Sequence, residues 1–432
     1  MNKHTTQTDL RRWTAALLAV SVLDLFPDAQ LVSSWGDRFG FYADFLFRTA
    51  PDQGLLDQIQ ERMRYHLSER TSISSMRMLR TNAISFLKDH KQKQQAKMLS
   101  EEAGQVVDLL KIGHIPVVCC EPHPQTLDDL GVHTLLKMEQ HGALTRIVGS
   151  AFENKQLQKE FVKAYQKIHL KGHVAVGVQK GYFKIENDHV YWLPKGKELF
   201  DQYYLAWRQW VSQSNCQEVI TPLIDFDSYK LRNSIVQSQL PLLIKNRSIA
   251  EYGRVARATE RSPFSTLLDY PISSEATTTS LVSVDEAYSI VKSSLQSICE
   301  TIRMSPIKAK WAISGSYAVD KKRKHISEKW ALGHRMLKRA LSELNLETIE
   351  SSTPAEKGPR IALQIQDHLG RFWTGPSVEV DILTTYQCQF KVPDNTLIIH
   401  SSLFGPIERM IALHLELSGD IPSFAKRTKT DK

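Results

Sequence analysis

The sequence predicts an α+β fold in more than one domain, and three observations predict it. A chain of 432 residues is too long for one ordinary core, because domains run to roughly 100–200 residues. Segments with helical spacing of apolar residues are interspersed with short alternating runs. Late in the chain strands outnumber crossover helices, which favours an antiparallel sheet flanked by helices.

The elements follow in order. Residues 9–25 read as a helix capped by Thr8 and stopped before Pro27, with Leu10, Trp13, Leu17 and Val20 on one face. Residues 39–47 alternate enough to form a strand bearing aromatics. Residues 52–69 and 75–99 read as helices with one strongly polar side. The stretch 106–120 alternates apolar runs with turn residues, as a pair of strands would, and 145–152 is another strand. A charged helix over about 153–171 leads out of the first half. The second half opens near Tyr182. Trp192-Leu-Pro-Lys-Gly196 marks a turn into a helix carrying Leu199, Tyr203, Trp207 and Trp210, and Glu218-Val-Ile-Thr-Pro222 is a short strand closed by proline. Helices are expected at 284–303 and 326–344, strands at 361–367, 371–383 and 396–400, and a last helix at 404–418. The domains expected are 1–175 and 176–420. A short flexible tail, 421–432, carries Lys426, Arg427, Lys429 and Lys432.

Apolar residues at 42% and charged residues at 24% place the chain among ordinary globular proteins and exclude a long disordered class. The net charge of +8 favours a polyanion such as RNA, although a solvated surface without nucleic acid fits the same balance and no dense basic block sharpens it. Five cysteines, Cys119, Cys120, Cys216, Cys299 and Cys388, are odd in number and scattered, which reads as reduced thiols in a cytoplasmic protein. Arg11-Arg12 before the apolar run 13–22 mimics a signal peptide. No small-residue cleavage site precedes Asp24 and Phe26-Pro27-Asp28, and an amphipathic helix explains the run. No stretch approaches the ~20 apolar residues that cross a bilayer, so no membrane partner is expected.

Seven strings carry a resemblance. They are Leu25-Phe-Pro-Asp-Ala-Gln-Leu-Val32; Gly40-Phe-Tyr-Ala-Asp-Phe45; Thr145-Arg-Ile-Val-Gly-Ser-Ala-Phe152; and Trp192-Leu-Pro-Lys-Gly196 with Glu218-Val-Ile-Thr-Pro222. Then come Ile249-Ala-Glu-Tyr-Gly253 with Arg257; Leu369-Gly-Arg-Phe-Trp373 with 378–381; and Ile399-His400 with Gly405-Pro-Ile-Glu-Arg409. Collinear over nearly the whole chain, they resemble the threonyl-tRNA synthetase family. The resemblance implies an editing-like α/β domain followed by a class II synthetase antiparallel sheet flanked by helices. It also implies a cut-down member, since the family's N-terminal ubiquitin-like domain and C-terminal anticodon-binding domain find no counterpart here.

The family's chemistry maps unevenly. Its editing site hydrolyses mischarged seryl-tRNA between two histidines at i and i+4 on a helix and a Cys-x-x-x-His segment. The i, i+4 spacing puts both imidazoles on one helix face, where they orient a water. Arg12 and Ala16 stand where those histidines would be, while Cys119 and His123 keep the other half. The family's zinc is held by one cysteine and two histidines. The cysteine region is missing between about 243 and 249, the first histidine aligns near 277–279, and only His400 remains, so zinc is not expected. For adenylation, Arg257 and Arg409 stand at the motif 2 and motif 3 arginines that would grip ATP phosphates. The adenine-reading glutamate aligns with Thr259, one residue before Glu260. The second motif 2 arginine aligns with Asp269, which reverses the charge. Two glutamines align with Thr374 and Glu379, and Glu379 is a candidate for magnesium. Motif 1, the dimer-forming element of the class, is intact at Pro222 and its preceding helix.

The expectation is therefore a binding or regulatory paralogue that neither edits nor threonylates. It would be homodimeric through motif 1, with tRNA or a synthetase as partner. The alternative is an enzyme that uses ATP and magnesium to adenylate a small carboxylic or amino acid for another acceptor. A working threonine-tRNA ligase is the third reading.

Overall fold

A computed structural model describes residues 6–48, 51, 54–101, 104–186, 189–225, 230–231, 234–256, 265–303, 307, 309–314, 324–351, 355, 357–384 and 395–419. The chain divides into two units, one within residues 1–163 and one from 164 onward.

The first unit runs α1 (Gln7–Leu25), β1 (Gln30–Gly36), β2 (Phe41–Leu46), α2 (Leu55–Ser68), β3 (Ile73–Leu79), α3 (Arg80–Asp89), α4 (Lys93–Glu101), β4 (Val106–Ile112), β5 (Ile115–Val118), β6 (Val132–His141), β7 (Leu144–Phe152) and α5 (Lys155–Tyr165). Helix α1 is buried nearly all round: Ala15, Leu18, Ala19 and Val22 are as enclosed as Leu10, Trp13, Leu17 and Val20. The expected amphipathic helix is thus the centre of this unit's core, as a helix apolar on every side should be. Its cap is Thr6 and not Thr8, because Asp9 stands three residues after Thr6 and closes a capping box. Helix α1 packs on the four-stranded antiparallel sheet β1-β2-β7-β6. Strand and helix approach so closely at Gly36 that a Cβ there would lie 2.2 Å from the Arg12 backbone nitrogen.

The expected helix over 75–99 is corrected. Residues 73–79 form β3, which pairs with β4 through Met76 opposite Leu109 and Met78 opposite Val107. Sheet pairing overrides the helical propensity of Met-Arg-Met-Leu, and helix begins only at Arg80.

The second unit runs α6 (Ile168–Lys171), α7 (His173–Gln179), β8 (Phe183–Glu186), β9 (His189–Trp192), α8 (Pro194–Ser212), β10 (Gln217–Glu218), β11 (Ile224–Asp225), β12 (Lys230–Leu231), α9 (Ile235–Asn246), β13 (Ser248–Ala256), β14 (Ile272–Ser283), α10 (Val284–Arg303), β15 (Ala309–Ser314), α11 (Lys324–Glu343), β16 (Thr348–Ser351), β17 (Arg360–Gln366), β18 (Phe372–Asp381), β19 (Thr396–Ser402) and α12 (Ile407–Ser418). An eight-stranded sheet in the order β10-β13-β14-β19-β18-β17-β15-β16 organises it. Every neighbouring pair is antiparallel except the two end pairs, β10 with β13 and β15 with β16. The fold is α+β, as the late run of strands predicts. Helix α8 packs on β13 and β14, α12 packs on β14, and α10 packs with α11 and along β14, β18 and β19. Trp207 on α8 anchors the first contact, donating Nε1–H to the Thr277 carbonyl at 3.3 Å. Among the described residues no helix is long and apolar enough to cross a membrane.

Candidate functional site

In the first unit, α1 and the segment after β5 bring Arg12, Cys119 and His123 together. The guanidinium of Arg12 donates through Nη1 to the carbonyls of Cys120 at 3.3 Å and Glu121 at 2.9 Å, and pairs through Nη2 with Asp9. Trp13 donates Nε1–H to the Pro122 carbonyl at 2.7 Å. Two side chains of α1 thus fasten this segment by its backbone. Ala16 lies in the core at 1% exposure. Burial pushes the Cys119 thiol up to about 12, so it is a protonated thiol and not a nucleophile. Burial also lowers the His123 imidazole, against the pull of Asp108 and Glu121. Asp108, Glu121 and His123 bring one donor atom each within 4.8 Å of one another. Arg77 already occupies the place of a cation there, with Nη1 at 3.2 Å from Glu121 and Nε at 3.5 Å from Asp108.

In the second unit, register aligns a polar row across four adjacent strands. Thr279 on β14 stands opposite His400 on β19, His400 opposite Glu379 on β18, and Glu379 opposite Arg360 on β17. Thr279 Oγ1 is 2.9 Å from His400 Nδ1. Arg360 Nη2 donates to Ser377 Oγ at 3.0 Å, while its buried Nε has no partner among the described residues. Sequence reasoning missed Arg360 because an arginine before an apolar run looks like an ordinary strand start.

Arg409, in the first turn of α12, is held on several sides. It donates Nε–H to the Leu268 carbonyl at 2.5 Å and Nη1–H to the Thr374 carbonyl at 2.8 Å. Its Nη2 lies 3.5 Å from Asp269, and the guanidinium sits 5.2 Å from the Trp373 ring centre. The aspartate that reverses a family charge is therefore the counterion of Arg409. The turn before α12 depends on Gly405, whose φ is +71° and whose Cβ would meet the Gly375 carbonyl at 2.6 Å. Arg257, Glu260, Cys388 and the tail 421–432 lie outside the described residues.

No protein-family profile matches the chain. It is 23% identical to the threonine-tRNA ligase of Janthinobacterium sp. (strain Marseille), over 96% of this chain and 73% of that protein. It is 22% identical to the ligase of the same name from Legionella pneumophila subsp. pneumophila, again over 96% and 73%. Both relatives are threonine-tRNA ligases, and the similarity to them spans nearly the whole of this chain. Among solved structures, it resembles the RNA-binding domain of threonyl-tRNA synthetase from Cryptosporidium parvum Iowa II with TM-score 0.49 and 17% identity, over 57% of this chain and 72% of that one.

The family's zinc does not fit the donors around His400. Zinc at such a site takes three protein ligands and an open position. Here the His400 imidazole is engaged by Thr279, and β14 offers hydroxyls where the family has a ligating histidine. Of the positions expected to meet ATP and magnesium, the described ones are Glu379 on β18 and Arg409 in the first turn of α12.

Glu408, beside Arg409, accepts hydrogen bonds from Ser274 N at 2.8 Å and Ser274 Oγ at 3.0 Å. Burial raises its carboxyl from 4.5 to about 7 in spite of these bonds. A raised folded pKa means that this group's stabilisation is complete below the unfolded value and is lost as pH rises through about 7. Glu408→Gln is expected to abolish this loss. From about pH 5 to about pH 7 the wild type should lose stability relative to the variant by up to ~1.4 kcal/mol per pH unit. Urea unfolding of both proteins across that range reads the difference, and parallel profiles would refute the assignment.

Proposed function

We propose that this chain is a synthetase-fold binding protein that does not charge tRNA with threonine. The observation that carries the reading is the engagement of Arg409. A motif 3 arginine serves catalysis by meeting phosphate charge. This one already meets two carbonyls, a carboxylate and an indole ring. Arg12 and Ala16 in the editing helix, and the hydroxyls facing His400, support the same reading: each replaces a reacting or ligating group with a structural one. A homodimer is supported by exposed apolar side chains on the motif 1 segment, where Ile220 is 91% exposed and Leu223 and, on α8, Leu205 are also uncovered. The net charge of +8 favours RNA as the ligand. A cytoplasmic location accords with the scattered free cysteines.

The purified protein is expected to retard bulk tRNA in a gel at low salt, with affinity falling steeply as salt rises. It is expected to show no threonine-dependent charging. Charging, or no retardation at low salt, would overturn the reading.

The polar row favours one second reading. Arg360, Glu379 and His400 offer a cation, a carboxylate and an imidazole at aligned positions, a set able to hold a small zwitterionic acid beside Mg-ATP. Under it the chain adenylates an amino or carboxylic acid for another acceptor.

A further inference from the structure

Away from the polar row, the second unit has an open cleft of about 430 Å³. Lys167 and Lys171, Asp367 and His368 from the turn between β17 and β18, and Glu416 and Leu417 from the last turn of α12 line it. Neither lysine meets a carboxylate among the described residues, and both are exposed.

The acidic members of the wall are already engaged. Asp367 accepts from Arg371 Nε at 2.7 Å, Trp373 Nε1 at 2.8 Å and the backbone of Leu369 and Arg371. Glu416, 1% exposed, turns one carboxylate oxygen to His173 Nδ1 at 2.6 Å and the other to His368 Nδ1 at 2.9 Å. Burial would raise this carboxyl, but the two histidines outweigh it and hold it well below the usual range. A carboxylate only accepts, so His173 Nδ1 carries the proton and its Nε2 is left over, while His368 donates to the carboxylate through its backbone N–H at 3.1 Å. Neither Nε2 finds a partner among the described residues, and the His368 side chain that lines the cleft is only 8% exposed.

The charge count of the wall decides the ligand. The Arg371 charge cancels that of Asp367, which leaves two ammonium groups against the single carboxylate of Glu416. The C-terminal end of α12 adds about half a negative charge, less than the remaining positive one. The balance is positive without counting either histidine. Lysine pairs act on phosphate as point charges, and 430 Å³ suits a small organic ligand better than a bare ion.

We propose that this cleft binds a small phosphomonoester through Lys167 and Lys171, with His368 and Glu416 in its wall and His173 holding Glu416 from behind. The test is calorimetric titration of the full chain with inorganic phosphate. Lys167→Ala/Lys171→Ala should weaken binding by about tenfold or more. Lys93→Ala/Lys97→Ala, a pair of the same spacing on α4, should leave it unchanged. Both double variants replace exposed side chains, and unchanged unfolding midpoints would verify their folding. Absence of phosphate binding at millimolar concentration, or equal weakening in the two double variants, would overturn the proposal.

Discussion

Arg409→Ala is expected to destabilise the second unit by about 3–5 kcal/mol, the usual consequence of removing one partner from a buried ion pair. The guanidinium is 11% exposed and Asp269 is 12% exposed, so water screens little of the loss. The substitution also takes the donors from the Leu268 and Thr374 carbonyls and the cation from the face of Trp373. Six of the eight tryptophans lie in the second unit, so urea unfolding followed by tryptophan fluorescence reports mainly on it. An arginine kept only to meet a phosphate would give a change near zero.

Glu416→Ala should cost a similar amount, about 3–5 kcal/mol. The carboxylate accepts from the His173 ring nitrogen at 2.6 Å and from the backbone nitrogens of His173 and His368 at 3.3 and 3.1 Å, and lies 2.9 Å from the His368 ring nitrogen. Alanine leaves these donors enclosed without it, and a buried donor that loses its acceptor costs its full desolvation. The pH dependence follows from the depressed carboxyl. Its contribution is present above the unfolded value near 4.5 and is lost as pH falls toward the lower folded value. The gap between wild type and variant should therefore narrow below about pH 4.5. A gap that stays constant into acid would contradict the cluster.

The fold was largely legible where a segment carries its own periodic signal. The helices over 284–303 and 404–418, the strands over 106–120 and the turn at Trp192-Leu-Pro-Lys-Gly196 correspond to α10, α12, β4 with β5, and the entry to α8. Strand β14 was not legible. Its run of serines and threonines has no apolar alternation, and it is buried because its hydroxyls are satisfied sideways: Ser280 with Ser248, Thr277 with the Glu251 carbonyl, and Ser274 with Glu408. At the candidate site, the motif resemblance points to Arg409 and to the reversed charge at Asp269. It could not show that the two are partners 140 residues apart. Separations of 243 and 48 residues likewise hid the cluster of His173, His368 and Glu416, each of which looks alone like an ordinary helix or turn residue. The expectations at the editing and zinc positions rest on residue identity alone, which a sequence shows directly. The use of Arg12 as a backbone fastener needed coordinates.

The most direct test of the central claim is amino-acid-dependent exchange of pyrophosphate into ATP, run with threonine and with each of the other proteinogenic amino acids. The reading of Arg409 as a structural arginine predicts no exchange above the blank with any of them. Exchange with even one, abolished by Glu379→Ala, would contradict it and establish the polar row of β14, β19, β18 and β17 as a working adenylation site.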